Sequence, residues 1–174
     1  IDSIIPASEK FEKITKAYFK SFKNFSFLIY KMKSVLFVLD GSVQISDDYI
    51  SAPNSNEVII KTKTSIISPG TEKAQLNKLP NAKIVYPHNP GYCGSGVILK
   101  ASRKTGFKVN DRVCGLIPHS QMAKLDKKDV FLIPSKFSFT EAAFFPLFLI
   151  VARNIEKINS FDKKKVVIVG QGII

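Results

Sequence analysis

The spacing of hydrophobic positions changes character three times along this 174-residue chain. Over residues 8–25, Phe11, Ile14, Tyr18, Phe22 and Phe25 recur at three- and four-residue steps with lysines between them, which predicts an amphipathic helix. Lysine opposite an aromatic face is also the signature of a helix lying on a membrane surface. A helix packed on the domain, or an extension foreign to it, are the plainer readings. The chain begins with Ile1, and Met32 stands just before the first convincing strand. We therefore expect residues 1–31 to be an appendage to a domain that starts near Met32.

From Lys33 onward the texture is that of short strands separated by turn residues. Residues 35–39 and 42–45 flank Asp40-Gly41, a pair suited to the positive φ angles of a tight primed hairpin turn. Residues 57–67 alternate, placing Val58, Ile60, Thr62, Thr64 and Ile66 on one face of a strand. Further strands are predicted over residues 96–101, 112–117, 121–125 and 130–133. The proline-punctuated loop over residues 69–90 should lie on the surface, where binding loops sit.

At Ser138 the pattern turns helical. Ser138 and Glu141 have the spacing of a capping box, in which each side chain satisfies a backbone N–H at the helix start. Pro146 cannot sit inside a helix, so one short helix should precede it and another should begin at it and run to about Ile158. Residues 165–169 form a β-branched run, as in a strand covered on both faces, leading into Gly170-Gln171-Gly172.

Composition narrows the function classes. A hydrophobic content of 45% at this length allows a sizeable core. The apolar run over residues 142–152 is too short to span a bilayer and is broken by Pro146, so no membrane span is expected. The net charge of +12 invites a nucleic-acid reading, but only Arg103, Arg112 and Arg153 among the 26 basic residues are arginines. Phosphate and base recognition favours clustered charge and the bidentate arginine fork. Dispersed lysine reads as solvated surface, with no specific nucleic-acid partner. Cys93 and Cys114 make no disulfide framework and lack the paired spacing of a zinc knuckle, which fits a reducing, cytoplasmic location. A single disulfide between them stays open at this level.

A strand ending in Gly-x-Gly is half of a dinucleotide-binding fingerprint, whose glycines let the backbone approach a pyrophosphate. The third glycine would fall beyond Ile174. The segments upstream add weight. Ser68-Pro69-Gly70-Thr71-Glu72 follows the long alternating strand, then come Pro90-Gly91-Tyr92-Cys93-Gly94-Ser95-Gly96 and Asn110-Asp111-Arg112-Val113. Pro118-His119-Ser120, Leu132-Ile133-Pro134, Glu141-Ala142-Ala143 and the terminal Gly170-Gln171-Gly172 complete the series. In this order they resemble the medium-chain dehydrogenase/reductase superfamily, from about Lys33 to the end. The resemblance implies a mainly β fold with a few helices, a GroES-like partly open barrel over residues 32–158. Residues 159–174 would begin a Rossmann domain that holds NAD(P).

The departures from the family pattern bear on mechanism. Where zinc-dependent members carry a ligand cysteine this chain has Pro69, and where they carry Gly-His-Glu it has Gly91-Tyr92-Cys93. Proline has no donor side chain and a phenol is an uncommon ligand, so no catalytic zinc is expected, and the four-cysteine lobe of zinc-bearing members is absent, so no structural zinc is expected either. The resemblance then implies hydride exchange with NAD(P)H, with proton delivery left to hydrogen-bonding side chains. The polar groups in the matching segments are Thr71, Glu72, Tyr92 and His119. Thr71, Tyr92 and His119 are the catalytic candidates, and Gly170 and Gly172 the cofactor-binding ones. Each catalytic candidate has a structural reading beside it: Thr71 as the cap of a short helix over residues 71–76, Tyr92 as a packed loop aromatic, His119 as an exposed loop histidine. His88 is given no role. Asp111 and Arg112 read as structural, and both cysteines as small buried hydrophobes.

Two functions follow. The first is the N-terminal part of a zinc-independent NAD(P)-dependent oxidoreductase acting on an alcohol, carbonyl or activated alkene, inactive as this piece alone. It would take a small-molecule substrate and form a homodimer through the Rossmann domain. The second is a stand-alone basic barrel that binds an anionic surface or a partner protein, with steeply salt-dependent affinity.

Overall fold

The computed structural model describes residues 29–157 and, beyond them, Lys165, Val167, Val169 and Gly170. The amphipathic pattern over residues 8–25, Gly172 and most of the proposed appendage lie outside the described residues. Strand β1 (Ile29–Phe37) already includes Tyr30 and Lys31, so the first strand begins ahead of Met32.

Strand β1 pairs antiparallel with β2 (Val43–Ser51), in register from Ile29 opposite Ser51 to Phe37 opposite Val43. The hairpin turn differs from the expected two-residue primed turn. Val38 N–H bonds to the Ser42 carbonyl at 3.1 Å across a three-residue loop, and only Gly41 takes positive φ, at +85°. Asp40 instead accepts the Ser42 N–H at 2.7 Å, a local side-chain turn that fixes the bend without a left-handed aspartate.

The main sheet has five antiparallel strands in the order β6-β3-β4-β5-β7. They are β3 (Glu57–Ser65), β4 (Gly94–Ala101), β5 (Arg112–Gly115), β6 (Met122–Asp126) and β7 (Val130–Leu132). All lie within one or two residues of their predicted starts, because each is a β-rich run bounded by turn residues. Val58 and Ile60 point into the curled sheet, where Ile98, Val113, Ile117 and Val130 complete the core. Single-face alternation is not the whole account of β3. Ile59, on its other face, is fully buried against Met32 and Ile50 of the hairpin. That contact seats the hairpin on the sheet, and removing such an aliphatic side chain costs about 2 to 5 kcal/mol.

Backbone bonds join β1 to the loop ahead of β6. Val35 N–H donates to the His119 carbonyl at 2.8 Å, and Gln121 N–H to the Lys33 carbonyl at 2.9 Å. On the same strand Phe37 and His88 exchange N–H···O bonds of 2.8 and 2.9 Å, which gives His88 a backbone role.

The proline-rich segment after β3 contains helix α1 (Pro69–Leu76), two residues longer at its start than sequence suggested. Proline at the first helical position loses an N–H that has no helical partner anyway. The capping box forms: Glu141 N–H donates to Ser138 Oγ at 3.2 Å and Ser138 N–H to Glu141 Oε2 at 2.8 Å. It opens α2 (Phe139–Ala143), and α3 (Phe145–Glu156) follows with Pro146 in its first turn. Helix α2 lies over the sheet through Ala142, which packs with Cys114 and Ile133. Arg112 is structural, as expected: its guanidinium donates to the Ser135 and Phe137 carbonyls and lies 4.8 Å from the Phe139 ring centre. Asp111 Oδ2 accepts the Lys108 N–H at 2.7 Å, closing the turn before β5.

The described residues of the terminal β-branched run are not in a strand, and Val167 and Val169 are 84% and 94% exposed. Burial on both faces needs flanking strands, and none of the described strands pairs with this run. No helix among the described residues is long and apolar enough to cross a membrane.

Candidate functional site

Three separate stretches of chain meet beside the first turn of α1: the end of β3 at Ser65, the turn at residues 90–92, and the Pro118-His119 segment. His119 is held there from both its backbone and its ring. Its N–H donates to the Pro90 carbonyl at 2.8 Å, and its carbonyl takes the β1 bond already described. Ring Nδ1 lies 2.9 Å from Ser65 Oγ, and Nε2 lies 3.1 Å from Glu72 Oε2. The two side chains are only 10% and 8% exposed. A carboxylate can only accept, so Nε2 carries the hydrogen between them, whereas Nδ1 can accept from Ser65 or donate to it. His119 is therefore not the exposed loop histidine that composition would favour.

Glu72 is the residue around which this cluster is organised. A buried carboxylate is costly unless hydrogen-bonded and paired. Its second oxygen, Oε1, accepts the Ser68 N–H at 2.8 Å, filling one of the unpaired donors at the start of α1. In the sequence Glu72 is one of the polar groups of the matching segments and not one of the catalytic candidates. The signal was available in its place four residues after Ser68, where a helix-start acid reaches back to an open N–H.

The other candidates gather one step away. Tyr92 donates its hydroxyl to Ser68 Oγ at 2.9 Å, and Ser68 Oγ lies 3.4 Å from Thr71 Oγ1. Thr71 sits exposed in the first turn of α1, and the cap position belongs to Ser68. Thus Thr71, Tyr92 and His119 all adjoin the Ser68-to-Glu72 turn, through Ser68 for the first two and Glu72 for the third. Ser65 and Ser68 were not singled out by sequence. Serine is common at strand ends and helix caps, and only the fold brings these two to the histidine.

His119, Glu72 and Ser65 open onto a cleft of about 930 Å³ between the β1-β2 hairpin and α1. Such a volume is in the range of small-molecule sites. Val35, Phe37, Val43 and Ile45 form the hairpin wall, and Ile67 and Leu76 the opposite one. Thr71 and Tyr92 are not among the residues lining it. Gly91 fixes the ring's position: its φ is +91°, and a Cβ there would come within 2.9 Å of His119 Cγ, Cδ2 and N.

The nearby thiols play no visible part in this chemistry. Burial, and then the Glu72 charge, push the Cys93 thiol up to about 11. Burial also raises Cys114 to about 11. Both cysteines are free and buried.

Among the described residues, the positions that match the zinc-ligand motifs supply no ligand set. Pro69 offers no side-chain donor, the Tyr92 hydroxyl is engaged with Ser68, and among the described residues no three of His, Cys, Asp and Glu stand together as a ligand group. Of the dinucleotide fingerprint only Gly170 is described, with φ +85° and open space where a Cβ would stand.

No protein-family model matches the chain. A 2-methylene-furan-3-one reductase from Solanum lycopersicum is 28% identical over 158 residues, covering 80% of this chain and 41% of that protein. Among solved structures, human synaptic vesicle membrane protein VAT-1 homolog-like protein superposes with a TM-score of 0.63 at 21% identity, over 75% of this chain and 45% of that one. An Escherichia coli quinone oxidoreductase, solved with NADPH, gives 0.55 at 18% identity over 64% of this chain and 36% of that one. The chain thus spans about two-fifths of the length of the proteins it matches, and shares with the solved ones the curled, mainly antiparallel fold.

Proposed function

We infer that the chain is of the medium-chain dehydrogenase/reductase type, a reading supported by its ordered motifs and its GroES-like fold. It is the substrate-binding part of a zinc-independent, NAD(P)-dependent oxidoreductase acting on a small carbonyl, alcohol or activated alkene. The observation that carries this reading is the buried His119, held between Glu72 and Ser65 at the floor of an apolar cleft. The tomato reductase and the NADPH-bound quinone oxidoreductase support it as relatives in sequence and in fold respectively.

Bound NAD(P)H would supply the hydride, and reduction of a carbonyl or alkene then requires a proton. In this cleft the proton is handled by His119, with Glu72 fixing the ring through Nε2 and Ser65 Oγ within hydrogen-bond reach of Nδ1. Positioned acid-base groups of this kind contribute about 100-fold to 10,000-fold in rate. Thr71 and Tyr92 act through the Ser68 turn, keeping Glu72 in place. Gly170 and Gly172 belong to the pyrophosphate site of the cofactor-binding domain.

The test is consumption of reduced nicotinamide by the native protein carrying this chain, offered quinones, 2-alkenals and cyclic enones. Turnover with at least one class is expected, and His119→Ala should lower kcat about 100-fold. Absence of turnover across the panel, or an undiminished His119→Ala, rules the reading out.

A further inference from the structure

The charge around the cleft is lopsided. Lys33, Lys63 and Lys73 line it, and Glu72 is the one acidic residue lining it among the described residues. Glu72 is already engaged on both oxygens, by His119 and by the Ser68 N–H. On the hairpin, Asp47 is taken by Lys31 and Lys33 at 2.9 and 3.3 Å. Lys63 and Lys73 are both exposed and form no ion pair among the described residues.

The walls between these lysines are apolar and open to solvent. Val43, Ile45 and Ile67 are 52%, 65% and 66% exposed, although each faces the cleft. Large aliphatic side chains gathered on a concave surface mark a binding site more often than scattered ones do. Low-dielectric walls also concentrate the field of the lysines into the space between them.

We propose that the cleft takes an amphipathic organic anion, with its apolar body against Val43, Ile45 and Phe37 and its carboxylate at Lys63 and Lys73. The proposal takes the cleft to be the substrate site described above and adds the class of molecule that enters it. The apolar walls and the lysines contribute separately. The walls favour any hydrocarbon body, whereas the lysines favour only the charged end, and that preference weakens as salt screens it.

Calorimetric or NMR titration of the 174-residue chain at low ionic strength tests this with octanoate and 1-octanol. Octanoate should bind about tenfold more tightly than octanol, the size of one partly solvated charge contact. In Lys63→Gln/Lys73→Gln the two probes should bind alike. In Val43→Ser/Ile45→Ser both should weaken together. Lys104→Gln/Lys108→Gln, which removes the same net charge away from the cleft, should leave the preference intact. Equal affinity of the two probes for the unaltered chain overturns the proposal, as does an equal loss in the distant lysine pair or no binding of either probe. None of these measurements uses a nicotinamide. Failure of turnover with the octanoate preference intact therefore removes the oxidoreductase reading alone.

Discussion

His119 and Glu72 lie 47 positions apart in sequence and meet at 3.1 Å, each nearly sealed from solvent. Helix α1 supplies the acid and the loop ahead of β6 supplies the base, so their contact ties one side of the cleft to the other. Removing His119 leaves a buried carboxylate oxygen without its donor, at a cost of about 1 to 3 kcal/mol or more for a charged group. His119→Ala should therefore lower the unfolding free energy measured in urea by about 3 kcal/mol. Glu72→Gln, which keeps one oxygen for the Ser68 N–H and turns an NH2 toward the ring, where the other imidazole tautomer can accept it, should cost clearly less. A His119→Ala chain as stable as the unaltered one would mean that the pair is not buried as described.

Gly91 should tolerate no side chain. Alanine there must hold a left-handed backbone, at about 1 to 2 kcal/mol, and its methyl would press on the His119 ring. Gly91→Ala should lower stability by at least that amount and shift the His119 ring resonances in NMR spectra. Unchanged ring resonances would show that the glycine does not set the ring's position.

The two cysteines should be inert in the folded chain. With thiols raised to about 11, only about one in a thousand is a thiolate at pH 8, and both side chains are buried. A disulfide-exchange reagent should therefore label neither at that pH over minutes, and both at once after addition of denaturant. Fast native labelling of either cysteine would contradict its burial.

Much of the fold was legible in the sequence because it depends on local chemistry. The strands over residues 94–101, 112–115 and 122–126 follow from β-rich runs between turn residues. The capping box at Ser138 and Glu141 requires nothing but its own four residues. The departures occurred where distant segments decide. Ile59 looked like the outward face of a half-buried strand until the hairpin covered it. The Asp40-Gly41 turn took a three-residue form because Asp40 found a local hydrogen bond that spared it positive φ.

For the site, the sequence by itself supplied the inventory: a tyrosine, a histidine, a threonine and an acid in short motifs. Tertiary structure decided which of them act together. Motif spacing cannot reveal that His119, Ser65 and Glu72 share one hydrogen-bonded line, since three separate chain segments must fold against one another to form it. Nor can it show that the hairpin and α1 leave an apolar cleft beside that line. The physical reason is one of range: turns and caps are fixed by neighbours in sequence, whereas burial of a histidine and a carboxylate depends on every element packed around them.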